Sequence, residues 1–215
     1  HRVPGDWDIT TSARPEQVKA IFGHTIDTGL QHGTVTIMRD KVGYEVTTYR
    51  IDGEYEDGRH PKEVEFTSNL LEDLKRRDFT INAMAYNPKE GLVDAFEGIQ
   101  DLKEKRIRCV GNALERFTED ALRILRAIRF SAQLGFSIEE STWEAIKVIA
   151  PNLIHVSKER IQVELTKLLL SNHPDEIRKA FDRELDTRIC ADFPKINPAQ
   201  IAIDPGLPKE KHMRW

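Results

Sequence analysis

Residues 4–10, Pro4-Gly5-Asp6-Trp7-Asp8-Ile9-Thr10, set two carboxylates on either side of a tryptophan. On a strand, side chains alternate between faces, so Asp6 and Asp8 share one face and Trp7 takes the other. Two carboxylates held at one point repel, and burying both as anions is costly, so bound cations are the simplest explanation of a site that keeps the pair. Mg²⁺ takes oxygen ligands and commonly uses one or two carboxylates with substrate phosphates. Tyr44-Glu45-Val46 offers a third carboxylate between apolar neighbours, which an adjacent strand would bring to a two-metal site. The plainer reading is a solvated turn ahead of a strand, because aspartates beside Pro-Gly are ordinary turn residues.

Working outward, the chain alternates short strand-like runs with turns up to about residue 108: Asp6–Thr10, Gly33–Arg39, Tyr44–Ile51 and Val64–Phe66. Arg14–Phe22 reads as a helix between them. From Ala113 to Lys179 the apolar spacing becomes helical, with Thr118 expected as an N-cap, Gly135 as a stop, and Ser141 and Ser157 as further starts. The expected organisation is a sheet-containing head over 1–110, a helical neck over 111–182, and a tail over 183–215 in which Pro194, Pro198, Pro205 and Pro208 crowd together and no fold is assigned.

At 215 residues, with 39% hydrophobic and 32% charged residues, the chain can bury a sizeable core. It contains no apolar run near the roughly 18 residues of a membrane span. A net charge of −4 excludes wholesale coating of nucleic acid by a basic protein while allowing a local basic groove. Cys109 and Cys190 are the two cysteines, a usage that fits reduced cytosolic thiols, and no signal-peptide pattern is seen. His24, His32, His60, His155 and His173 are scattered, and CxxC, HExxH, GxGxxG and P-loop patterns are missing, which lowers the case for zinc, haem, Rossmann and Walker chemistry.

A second constellation follows Thr118. Arg123, Arg126 and Arg129 recur every three residues, starting just beyond Asp120. A step of three lags a helical turn by about 60°, so the row curls round the helix while rising about 13 Å from Asp120 to Arg129, roughly the reach of a nucleotide. Asp120 and Arg123 would offer an acceptor and donors to a base edge, and the later arginines would face phosphates. Residues 103–129 hold eight basic and four acidic residues, a positive segment in an acidic chain. The alternative is a solvated charged face, with Glu119 and Arg123 an ordinary i,i+4 pair.

Taken in order, these residues resemble the class II tRNA nucleotidyltransferase family, the CCA-adding enzymes and bacterial poly(A) polymerases. His1–Ala13 (HRVPGDWDITTSA) resembles the catalytic strand motif and Tyr44–Arg50 (YEVTTYR) the strand before the flexible loop. Arg76–Ala85 (RRDFTINAMA) is similar to the motif that contacts the nucleotide sugar and phosphates, and Asp94–Val110 to the connection from head to neck. Glu119–Phe130 (EDALRILRAIRF) resembles the base-recognition motif and Ser157–Leu165 (SKERIQVEL) the last neck motif.

The resemblance spans roughly residues 1–182 and implies an α+β fold: a polymerase beta-like nucleotidyltransferase head with a mixed sheet, followed by an all-helical neck, with the nucleotide between them. It implies Asp6 and Asp8 as Mg²⁺ ligands, with Glu45 a third catalytic carboxylate. Arg77, Asp120, Arg123, Arg126 and Arg129 fall on nucleotide-binding positions, Asp120 and Arg123 imitating Watson–Crick edges so that no template is needed. Glu159 and Arg160 are expected to support the binding helix, and Phe79, Met84 and Tyr86 to pack in the core.

The implied activity is addition of CMP and AMP from CTP and ATP to the tRNA 3′ end, in the cytoplasm and away from membranes. Poly(A) polymerisation is the alternative, because Gly53–Pro61 suits either. The family also carries a Gly-Gly loop and an Arg-Asp pair upstream of the catalytic strand, where they cradle the triphosphate. With the sequence starting at His1, the expected alternatives are a fragment, a split enzyme and a rearranged chain, and in the split case a second chain supplies that segment as a partner. Residues 183–215 lack likeness to the family's body and tail domains, so a catalytically silent RNA-binding fragment is the rival from a different class.

Overall fold

The computed structural model describes residues 7–53 and 64–176. Asp6, residues 54–61 of the stretch Gly53–Pro61, Cys190 and the tail over 183–215 lie outside the described residues. The chain divides into two compact units between Arg77 and Asp78.

The first unit is built on a four-stranded mixed sheet in the order β1-β4-β3-β2. Its strands are β1 (Asp8–Thr11), β2 (Thr25–Gly29), β3 (Thr34–Arg39) and β4 (Val42–Thr48), with helix α1 (Pro15–Ile21) between the first two. β1 runs parallel to β4, and the β4–β3 and β3–β2 pairs are antiparallel. Parallel pairing needs a crossover, and α1 lies within it. Pro15 opens that helix, where its missing N–H costs nothing, and Gln17 Oε1 accepts from the Arg14 N–H at 2.8 Å. Val18 of α1 is buried with Ile37 and Val46 of the sheet. A separate antiparallel pair, β5 (Arg50–Asp52) with β6 (Val64–Phe66), leads to α2 (Leu70–Lys75). Asn69 caps α2 by accepting from the Leu71 N–H at 2.9 Å.

The second unit starts with a short 3₁₀ turn at Thr80–Asn82 and the hairpin of β7 (Ala85–Asn87) and β8 (Gly91–Val93). α3 (Gly98–Glu104) and β9 (Arg106–Ile107) precede α4 (Ala113–Glu119) and α5 (Leu122–Leu134). β10 (Ser137–Ile138), α6 (Glu140–Ile149) and α7 (Lys158–Leu169) complete the unit. Its core gathers Phe79, Ile107, Phe117, Ile124, Leu125, Ile146 and Leu168. β10 pairs in parallel with β9, so one short strand interrupts the helices. Gly98 is required by packing, since a Cβ there would lie 2.4 Å from the Thr80 carbonyl oxygen. Gly135 ends α5 with φ +67°, the left-handed cap that favours glycine.

Several local expectations change. Thr118 is not an N-cap: it lies in the last turn of α4 and its Oγ1 donates to the Leu114 carbonyl at 2.7 Å. Asn112 caps α4, accepting from Leu114 N–H, and the next helix begins only after a break at Asp120. Tyr86 is exposed rather than in the core, because it alternates outward on the β7–β8 hairpin, whereas Phe79 is fully buried. Ser157 occupies the N-cap position before α7, as expected. The helix expected from Ser141 starts at Glu140, where Glu139 Oε2 accepts from the Thr142 N–H at 2.8 Å. No helix among the described residues is long and apolar enough to cross a membrane.

Candidate active site

Asp8 lies opposite Glu45 in the parallel β1–β4 register, and Glu45 lies opposite Thr36 of β3. Paired residues share a face, so Asp8, Glu45 and Thr36 project together, with Thr10, Thr34 and Thr47 in the same rows. This face is lined by hydroxyls: Thr34 Oγ1 is 3.1 Å from Thr47 Oγ1, and Thr28 Oγ1 is 3.0 Å from Thr36 Oγ1. The opposite face carries Val35, Ile37 and Val46, the apolar side that α1 covers. Alternation thus directs both carboxylates away from the core, and both are exposed.

Two exposed carboxylates on one sheet face are hard oxygen donors, a set that suits a divalent cation. Asp6, the other half of the expected pair, lies outside the described residues. Among the described residues, no group of three or more His, Cys, Asp or Glu side chains converges tightly enough to hold a metal ion by itself.

Arg77 follows the C-terminus of α2, in the first unit. Its Nη2 is 3.6 Å from Asp73 Oδ2, while Arg76 Nη2 is 2.8 Å from Asp73 Oδ1.

The remaining expected nucleotide residues belong to the second unit, where the arginine row is a chain of ion pairs rather than a solvated face. Asp120, in the break between α4 and α5, accepts from the Leu122 N–H at 3.1 Å and from Arg160 Nη2 of α7 at 2.7 Å. Arg123 Nη1 donates to Glu119 Oε2 at 2.6 Å and to the Arg116 carbonyl at 3.0 Å. The other Glu119 oxygen accepts from Arg116. Asp120 and Arg123 are therefore one turn apart and are held by different partners. Arg126 Nη2 is 2.6 Å from Asp78 Oδ2, and its Nη1 is 3.8 Å from Glu164 Oε1. The Arg129 side chain is only 7% exposed. It donates from Nε to Glu164 Oε2 at 2.5 Å and from Nη1 to Gln133 at 2.7 Å, with its guanidinium 3.9 Å from the Phe130 ring centroid.

Arg160 supports the Asp120 carboxylate, in keeping with the structural role expected of it, whereas Glu159 is exposed in the first turn of α7. Sequence reasoning missed the acids that hold the arginines, namely Asp73, Asp78 and Glu164. The run Asp73-Leu74-Lys75-Arg76-Arg77-Asp78 brackets the arginine pair with two aspartates, which was the available signal. Cys109 is buried, which pushes its thiol up to about 12, so it is an inert core residue.

Residues 1–108 match the family model described as "Poly A polymerase head domain", and residues 135–185 match "Probable RNA and SrmB- binding site of polymerase A". The CCA-adding enzyme of Oceanobacillus iheyensis is 53% identical over 185 residues, covering 86% of this chain and 46% of the relative. That of Leuconostoc citreum is 54% identical over 202 residues, covering 94% and 48%. The chain belongs to the Poly A polymerase head domain family, whose model matches half of it. It spans about half the length of the curated CCA-adding enzymes it matches.

Among solved structures, the Bacillus stearothermophilus CCA-adding enzyme in complex with CTP superposes with TM-score 0.73 at 46% identity, over 80% of this chain and 42% of that one. The Thermotoga maritima CCA-adding enzyme complexed with tRNA gives TM-score 0.64 at 30% identity, over 80% and 40%. The expected α+β nucleotidyltransferase fold, a mixed-sheet head followed by a helical region, is thereby the fold of this chain.

Proposed function

We propose that this chain carries the nucleotidyltransferase centre of a template-independent CCA-adding enzyme, acting in the cytoplasm. It would add CMP and AMP from CTP and ATP to the tRNA 3′ end. The observation that carries the reading is the in-register pair of Asp8 and Glu45 on a polar sheet face, in a chain about half identical to CCA-adding enzymes.

In this reading the head spans 1–110 and the neck 111–182. Asp6 and Asp8 hold Mg²⁺, with Glu45 as third carboxylate. When bound, such an ion lowers the pKa of the attacking hydroxyl and stabilises charge on the leaving pyrophosphate. Arg77 meets the nucleotide phosphates or sugar. Asp120 accepts from the exocyclic amino group of cytosine or adenine and Arg123 donates to the neighbouring ring acceptor, so the protein imitates the pairing edge of a template base. Arg126 and Arg129 complete the positive row behind them, Arg129 by holding α5 against α7.

Poly(A) addition is the second reading, favoured by the head-domain match over residues 1–108. One assay separates these two and a silent RNA-binding fragment: purified protein, tRNA lacking its 3′ end, CTP, ATP and Mg²⁺, with products resolved to the nucleotide. Stepwise addition of C, C and A supports the proposal. Runs of A point to the second reading, and no extension leaves an RNA-binding role.

A further inference from the structure

We propose that Asp73 is a positioning residue that aims Arg77 and ties it to strand β5; the proposal rests on the assignment of Arg77 to the nucleotide phosphates. Asp73 lies inside the six-residue helix α2, yet it is fully buried. A buried carboxylate is tolerated only when charged or hydrogen-bonding partners replace its water. Its Oδ1 accepts from Arg76 Nε at 3.0 Å, from Arg76 Nη2 at 2.8 Å and from the backbone N–H of Arg50 at 3.2 Å. Arg50 is the first residue of β5, so one oxygen atom joins that strand to the end of α2. The other oxygen faces Arg77 Nη2 at 3.6 Å.

Asp52, also in β5, closes the cluster. Its Oδ1 is 3.0 Å from Arg50 Nε and its Oδ2 is 3.6 Å from Arg76 Nη1. Arg50 Nη1 in turn donates to the His32 carbonyl at 2.8 Å. The two neighbouring arginines therefore have different tasks. Arg76 is clamped between Asp73 and Asp52 and is the less exposed, at 19% against 29% for Arg77. Arg77 Nη2 meets Asp73 Oδ2 at ion-pair distance, 3.6 Å. The buried charge of Asp73 draws the guanidinium toward the end of α2 before a phosphate arrives, so less order is lost on binding. Asp73 touches no substrate in this scheme; it acts through Arg77.

The test compares wild type with Asp73→Asn, Arg77→Ala and the double variant, measuring affinity for CTP, ATP and inorganic pyrophosphate. Asp73→Asn is expected to weaken all three alike, by about tenfold, at the lower end for loss of a charge-assisted contact. The double variant should be no weaker than Arg77→Ala alone, since one residue works through the other. Losses that multiply, or a normal Asp73→Asn beside an impaired Arg77→Ala, overturn the proposal.

If Arg77→Ala binds phosphate normally, the phosphate assignment fails, and the Nε–Hε resonance of Arg77 decides the positioning role. A shifted, motionally averaged signal in Asp73→Asn supports that role and an unchanged signal removes it. Should Asp73→Asn fail to fold, Asp73→Glu replaces it in the resonance experiment. That variant keeps the charge but moves it by one methylene, and the same two outcomes apply.

Discussion

Oδ2 of Asp120 lies 2.7 Å from Nη2 of Arg160, a residue 40 positions later on α7, while Oδ1 accepts from the Leu122 N–H at the start of α5. One carboxylate is thus fixed by the helix it precedes and by the helix packed beside it. Such bracing suits an acceptor whose direction selects a ligand.

Asp120→Ala is therefore expected to relax the exclusion of UTP and GTP. Cytosine and adenine present an amino group beside an acceptor nitrogen, whereas uracil and guanine present a carbonyl and a ring N–H, and a fixed acceptor rejects the mismatch by leaving polar groups unpaired. The measurement is relative kcat/KM for CTP, ATP, UTP and GTP on one tRNA. Folding is checked separately, because the residue also accepts from the Leu122 N–H at the start of α5. Unchanged discrimination with reduced activity would leave Asp120 as a helix-start carboxylate.

Asp8→Asn should abolish nucleotide incorporation with the fold intact, and Asp6→Asn should do the same, since an amide ligates Mg²⁺ poorly and removes charge. Near wild-type turnover of both variants at saturating Mg²⁺ would sink the carboxylate assignment. Glu45→Gln, altered on the strand partner of Asp8, tests the third ligand. A fall of less than about tenfold, which is only about 1.4 kcal/mol of transition-state stabilisation, removes Glu45 from the metal set and leaves the pair.

Arg77→Ala should weaken CTP and ATP about equally, since a phosphate or sugar contact does not tell bases apart. The expected fall is about 10- to 150-fold, the range of a charge-assisted hydrogen bond. Affinities from titration of the two nucleotides check this, and loss confined to one of them would contradict the assignment.

The two carboxylate strands were legible because β1 and β4 alternate polar and apolar residues around Ile9 and Val46. Their parallel register was not, since the pairing is made through the crossover and leaves no local mark. β2 was missed for a related reason: Thr25-Ile26-Asp27-Thr28-Gly29 has one large apolar residue, itself exposed, so there is no buried face to read. The arginine row was visible as spacing. The Glu119–Arg123 pair was visible as an i,i+4 spacing, but that Arg126 and Arg129 are sunk against Asp78 and Glu164 was not, because those two acids come from distant stretches of chain. Asp73 looks like any surface aspartate of a short helix until Arg50 arrives from β5.

Acid sensitivity of the second unit should centre on Asp101. Burial alone would raise its carboxyl pKa, but hydrogen bonds from Thr80, Arg106 and Arg108 outweigh burial and hold it below its ordinary 3.8. The distances are 2.6 Å from Thr80 Oγ1, 2.7 Å from Arg106 Nε and 2.8 Å from Arg108 Nε. With the folded pKa depressed, the stabilisation is fully present above 3.8 and is lost as pH falls through the lower folded value. Urea midpoints followed by circular dichroism across acid pH should therefore drop below that point in wild type and drop less in Asp101→Asn, the remaining fall coming from Glu139, whose carboxyl is also held low by hydrogen bonds from Thr142 and Ser141. Asp101→Ala should cost about 3 kcal/mol at neutral pH, near the lower figure for breaking a buried pair, because both arginines retain some contact with water.

Arg129 separates support from ligand contact. Its side chain is held by Glu164 and Gln133 and stacked on Phe130, and Glu164 is itself buried. Removing one partner leaves the other charge with weaker company, Arg126 at 3.8 Å for Glu164 and Gln133 with the Phe130 ring for Arg129, so Arg129→Met and Glu164→Gln should each destabilise the protein by about 3 kcal/mol, the lower figure for breaking a buried pair. Replacing both, Arg129→Met with Glu164→Leu, should recover much of that loss, since apolar side chains of similar volume can fill a buried ion-pair site. Arg126, 3.8 Å from Glu164 Oε1, still has Asp78 in the double variant. Thermal melts of the three variants check the energetics, and nucleotide discrimination measured well below each melting temperature checks the role. An Arg129→Met protein that melts like wild type but no longer binds CTP or ATP would move Arg129 from support to direct nucleotide contact.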